Sequence, residues 1–196
     1  MTAIPYGPLR WLAVWPYSQQ QQQPNVSTLN AATGTVTANA AIVQAGTNGE
    51  ISVFVTDSSD LAIDINGYFA PSESGALGFY PVTPCRLFDT RQAGDGGTVT
   101  ASPVSVVEVA GSSCSPASTA QTYVLNATVV PSGFLGYLTV WPDLQAQPYV
   151  STLNAHDGVV TSNMALVPTA NGLIDAFATS PTNLILDISG FFAPLQ

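Results

Sequence analysis

Apolar and polar residues alternate in short stretches along this chain, and Pro or Gly interrupts the alternation about every 8–12 residues, the spacing of short strands. In Trp11-Leu12-Ala13-Val14-Trp15, Leu12 and Val14 fall on one face while Trp11, Ala13 and Trp15 fall on the other. That is the two-residue period of a sheet. Val26–Asn30, Val36–Val43, Ile51–Thr56 and Thr122–Val130 are predicted as further strands. Leu61, Ile63 and Ile65 alternate with Ala62, Asp64 and Asn66, as Leu184, Leu186 and Ile188 do with Ile185, Asp187 and Ser189. Asn48-Gly49 and Asn171-Gly172 read as hairpin turns. Gly67 and Gly190 read as bulges or close approaches. No window sustains a helical period. The pattern predicts an all-β chain folded as β-sandwiches, either jelly-roll or Ig-like.

The same pattern occurs twice. Pro24–Pro71 contains N-V-S-T-L-N-A-A-T-G and D-L-A-I-D-I-N-G-Y-F-A-P; Pro148–Pro194 contains Y-V-S-T-L-N-A-H-D-G and N-L-I-L-D-I-S-G-F-F-A-P. Upstream, Pro5, Gly7, Leu9, Leu12, Val14, Trp15 and Pro16 answer to Pro131, Gly133, Leu135, Leu138, Val140, Trp141 and Pro142. Roughly half of the paired positions are identical, which marks an internal repeat. The expected organisation is a first repeat over 1–71, a linker over 72–78 and a second, complete repeat over 79–196. The glutamine run 19–23 is a loop insertion in the first copy.

Met1 aligns with Ala127, so the first copy is incomplete. Lacking about 50 residues and three strands, it is expected to expose apolar faces and open sheet edges. Three completions are open: the chain is part of a longer array, segment 72–130 is shared by both copies, or a neighbouring chain supplies the strands.

Composition narrows the setting. Hydrophobic residues make up 46% and charged residues 8%; the only basic side chains are Arg10, Arg86 and Arg91, and the net charge is −9. Nothing here releases counterions from phosphates, so nucleic acid and anionic membranes are not expected partners. Cys85 and Cys114 form an even pair that fits one disulfide made in an oxidising compartment. With a single His156 there is no zinc ligand set, and no cofactor motif is present. No apolar run is long enough to span a bilayer, and the N-terminus is not a signal peptide.

The series P-C-R-L-F-D-T-R (84–91), L-N-A-T-V-V-P (125–131), G-Y-L-T-V-W-P (136–142), V-S-T-L-N (150–154) and D-I-S-G-F-F-A-P (187–194) resembles repeat domains of secreted and cell-surface bacterial proteins. In that family the domains are often in tandem or attached to other exported modules. The resemblance covers 79–194 as one unit and 1–71 as the later part of a preceding one. It implies an extracellular or cell-surface β-domain with a structural, adhesive or binding role, and it brings no catalytic residues.

Each candidate for chemistry has a structural reading beside it. Asp64 and Asp187 recur, one per copy, and are read as acceptors from a turn or an Arg rather than as an acid–base pair. Asp89 and Arg91 are read as an ion pair or cap beside Cys85, and Asn39 and Asn163 as a repeated structural pair. His156, opposite Ala32, is read as an exposed loop residue. Asn25 and Asn126 open glycosylation-like triplets that are read as coincidental. Trp11 and Trp15, and Tyr137 and Trp141, lie about 13 Å apart along a strand, which suits a polysaccharide platform; packing of the rings in the fold is the competing reading. The expectation is a non-enzymatic structural or adhesive protein that associates with copies of itself, with carbohydrate binding as the alternative.

Overall fold

Strand follows the alternation wherever a neighbouring strand is available to pair with it, and stops where none is. The computed structural model describes residues 1–20, 22–71 and 73–195. Gln21 in the glutamine run, Ser72 in the expected linker and Gln196 lie outside the described residues. The chain divides into two compact units, Met1–Asp64 and Ile65 onward. Both are antiparallel β-structures.

The second unit contains β7 (Leu77–Asp89), β8 (Ser105–Glu108), β9 (Thr122–Pro131), β10 (Leu135–Pro142), β11 (Leu153–Ala155), β12 (Thr161–Pro168), β13 (Leu173–Ala178) and β14 (Thr182–Pro194). They form two four-stranded sheets, ordered β12-β9-β14-β7 and β11-β10-β13-β8. The chain changes sheet at every connection except β10 to β11, and this order is that of a jelly roll rather than an Ig-like sandwich. Between the sheets lies a core of Val107, Tyr123, Leu125, Val129, Leu135, Leu138, Leu153, Ile174, Leu184, Leu186 and Ile188 with their neighbours. Leu77 and Gly78, expected as linker, are the first residues of β7.

The first unit contains β1 (Thr2–Pro5), β2 (Leu9–Pro16), β3 (Leu29–Ala31), β4 (Thr37–Ala38), β5 (Ile51–Val55) and β6 (Ser59–Ala62). Its sheets are three-stranded, β4-β1-β6 and β3-β2-β5. The registers match the second unit residue for residue. Pro5 faces Ser59 as Pro131 faces Thr182; Val14 faces Val53 as Val140 faces Ala176; Leu12 faces Leu29 as Leu138 faces Leu153. Even the irregularity in β2, between Leu9 and Leu12, recurs in β10 between Leu135 and Leu138.

The repeated S-T-L-N motif explains that irregularity. Asn30 Nδ2 donates to the Arg10 carbonyl at 2.5 Å and Ser27 donates to Asn30 at 2.7 Å; Asn154 and Ser151 make the same bonds, to Gly136 O at 2.8 Å and to Asn154 at 2.8 Å. Thr28 Oγ1 accepts from the Val14 amide at 3.0 Å, and Thr152 from Val140 at 3.1 Å. Side chains thus satisfy the backbone groups that the irregular strand leaves unpaired. Gly34 and Gly158 turn the chain next, with φ of 75° and 73°. A Cβ on either would stand 2.9 Å from the backbone carbon of Gly7 or Gly133, so glycine is required on both grounds.

Three expectations are corrected. Asn48 and Gly49 do take left-handed φ of 57° and 78°, but the strands they separate, β4 and β5, lie in different sheets. Asn171-Gly172 likewise connects strands of different sheets, β12 and β13, so these are sheet-crossing turns and not hairpins. The predicted strand Val36–Val43 shrinks to Thr37–Ala38. In the second unit the equivalent Asn163–Val167 pairs with Tyr123–Ala127. In the first, Asn39 exchanges backbone hydrogen bonds with Met1 as the counterpart of the Asn163–Ala127 pair, and the positions after Asn39 have no such partner strand among the described residues. Likewise Ile63 and Ile65 are not in a strand. Their counterparts Leu186 and Ile188 are held between β9 and β7.

Candidate functional site

Set strand against strand, no described residue of the first unit is the counterpart of β7, of β8 or of the leading half of β9. In the second unit β7 pairs with the outer edge of β14, and β8 with the outer edge of β13. Their equivalents β6 and β5 are edge strands. Both missing strands therefore leave openings on the same side of the first sandwich. Within segment 72–130, β7 and β8 belong to the second unit's own sheets.

The side chains register the difference. Ile51 is 39% exposed where Ile174 is 0%, and Ile63 is 45% exposed where Leu186 is 0%. Val53 is exposed, whereas Ala176 is buried. Unpaired backbone groups alternating with apolar side chains make an edge that can accept a further strand. Asp64 is exposed at the end of this edge, where its charged neighbour is the N-terminal ammonium of Met1 rather than an arginine.

The second unit shows what its counterpart does. Asp187 takes both ends of Arg86: Nε to Oδ1 at 2.7 Å and the second guanidinium nitrogen to Oδ2 at 3.1 Å. Arg86 also lies 3.4 Å from Asp89. Asp89 is buried and accepts a bidentate pair from Arg91 at 2.8 and 2.7 Å, plus the Arg91 amide at 3.1 Å. Those hydrogen bonds from Arg91 hold its carboxyl well below the usual range, at about 2. Cys85, next to Arg86, is bonded to Cys114 with Cα atoms 5.8 Å apart. The Arg86–Asp187 pair ties β7 to β14, and the disulfide ties it to the loop between β8 and β9.

The other sequence candidates settle into the fold. Asn39 donates to Thr28 O at 2.6 Å, and Asn163 donates to Thr152 O at 2.8 Å, one role in two copies. His156 is half-buried rather than exposed; its Nε2 lies 3.1 Å from Gly136 O and its ring packs 4.9 Å from Phe134. Trp141, expected as part of a glycan platform, is buried and donates its indole N–H to Gln145 O at 3.0 Å. It offers no open face. Trp11 packs on Phe54 at 5.1 Å and Tyr137 on Phe177 at 5.6 Å, and Trp15 is half-buried.

Sequence reading passed over Asp175, whose counterpart is Ser52. It is buried, and its Oδ1 has no hydrogen-bond partner. Burial pushes its carboxyl up, and the neighbouring Asp143 adds to the effect. Alternation gave no signal, because Asp175 lies between the core residues Ile174 and Ala176 and so on the opposite face of β13, across from Trp141. A cleft of about 630 Å³ between β7 and β8 is lined by Leu87, Phe88, Val106, Asp95 and Glu108, among others. Asp95 there is engaged by the Asp89 amide at 2.9 Å. Among the described residues there is no group of three or more His, Cys, Asp or Glu able to hold a metal. Comparison with family models, curated proteins and solved structures returns no match.

Proposed function

We propose that this protein is a non-catalytic extracellular structural or adhesive β-repeat that associates with copies of itself through the open side of its first unit. One observation carries the reading: two sheet edges, β5 and β6, lie open on the same side, with Ile51 and Val53 of β5 and Ile63 just past β6 exposed to solvent. Monomeric β-proteins protect such edges with charge, proline or a covering loop. The disulfide and the absence of lysine support an extracellular or cell-surface setting. The resemblance to exported tandem repeats points the same way.

Multi-angle light scattering across a hundredfold range of protein concentration tests the association. A mass that rises with concentration, and falls back on Val53→Lys, is the expected result. A single chain at every concentration ends the reading.

A further inference from the structure

Resting on that reading, we infer that the open side of the first unit is a receptor for one kind of occupant. This is an extended polypeptide strand of the Leu77–Arg91 pattern, with an arginine in register with Asp64. The chain carries its own template for the interaction. β6 and the residues after it are the counterpart of β14, which already receives such a strand: Ile185 faces Asp89, Leu186 faces Phe88, and Asp187 faces Arg86. Transferred onto the first unit, the same antiparallel register sets Ala62 opposite the position of Asp89, Ile63 opposite Phe88, and Asp64 opposite Arg86.

Three features of the receiving edge fit this occupant. Asp64 keeps the carboxylate that Arg86 clasps in the second unit, and in the first unit its charged neighbour is the N-terminal ammonium of Met1, which lacks the bidentate geometry of a guanidinium. A carboxylate at the edge of a sheet prefers a bidentate guanidinium to a lysine or a neutral strand. Leu61 and Ile63 retain the apolar face that Leu184 and Leu186 present to the core beneath β7. Neither the edge of β6 nor that of β5 carries a proline or lysine that would turn a strand away.

The occupant has to come from elsewhere than the chain's own β7. That strand is tied by the Cys85–Cys114 bond and by Arg86–Asp187 into the second unit. A second unit robbed of it would acquire the same open edge. The site therefore selects strands of a like repeat that are free to pair.

The test is a fluorescence-anisotropy titration of the intact protein against a labelled peptide of residues 77–91 carrying Cys85→Ser. Saturable binding is expected. Asp64→Arg should weaken it about tenfold, and a peptide carrying Arg86→Asp should recover the loss on the Asp64→Arg protein, as a charge-paired register demands. Asp64 is exposed, so its replacement leaves the fold intact, which far-UV circular dichroism checks. No saturable binding overturns the inference, as does binding indifferent to Asp64→Arg. Light scattering on the same samples separates the two proposals. A protein that binds the peptide yet stays monomeric keeps this inference and ends self-association. One that assembles without competition from the peptide does the reverse.

Discussion

The two units run the same strand program with the same registers, yet one is closed and the other is not. Leu186 and Ile63 are counterparts, but Leu186 is covered by β7 and β8 and their loops while Ile63 faces solvent. Gly190 and Gly67 are counterparts too. A Cβ on Gly190 would run into the Phe79 ring of β7, while around Gly67 there is nothing within 4 Å. The difference teaches that strand length and burial in this fold depend on the neighbours each segment is given. The unpartnered sequence after Ala62 has the alternation of β14 but not its structure.

The comparison breaks most visibly in the cores. Leu186→Ala is expected to destabilise the second unit by about 2–5 kcal/mol through a buried cavity, whereas Ile63→Ala should stay within about 0.5 kcal/mol, as exposed sites do. Urea unfolding followed by tryptophan fluorescence and circular dichroism reads both. Equal losses would mean that the first unit is already closed in solution.

Removing the disulfide with Cys85→Ala and Cys114→Ala together should lower stability by about 3–4 kcal/mol in the chain-entropy model. Calorimetry should place that loss in the second unit's transition alone. Gly190→Ala comes next, at about 1–3 kcal/mol for an overpacked site, against no measurable change for Gly67→Ala in the same assay.

The smallest effects are electrostatic and have opposite signs. The Asp89 carboxyl is depressed to about 2 in the fold, below its unfolded value. Its contribution is therefore present above the ordinary carboxylate range and lost as pH falls through about 2. Asp89→Asn should lower the melting temperature at pH 7, with the gap to the parent closing toward pH 2. Asp175 is raised by burial, so its contribution is present below the unfolded value and lost as pH rises through the folded one. Asp175→Ser, the residue the first unit carries at position 52, should raise the melting temperature by a few degrees at pH 7 and by nothing near pH 3.

Much of this was legible in the chain. The period-2 runs mark β2, β10 and β14 because each buries one face, and local alternation is enough to show it. The bulge at Gly190 was legible because glycine in an alternating run marks a close approach, here the Phe79 ring and the Tyr80 carbonyl. The turn conformation of Asn48-Gly49 was legible as well, but not which strands it joined, since backbone dihedrals carry no record of sheet membership. Trp141 shows the same limit at a candidate site. Its position on a strand face was visible, but the loop carbonyl of Gln145 that caps it comes from a turn whose path alternation does not encode.

By itself the sequence determined the local facts: strand periodicity, the doubled S-T-L-N and G-Y-F motifs, the glycines that only a left-handed or crowded backbone needs, the lysine-free surface and the paired cysteines. Each follows from the steric and hydrogen-bonding preferences of a few adjacent residues. Only the tertiary structure decided that the sandwich is a jelly roll, that segment 72–130 closes the second unit, and that Asp187 is clasped by Arg86 while Asp64 has the Met1 ammonium as its charged neighbour. Those outcomes depend on which distant strands lie side by side, and a strand's edge has no preference that its own residues alone can express.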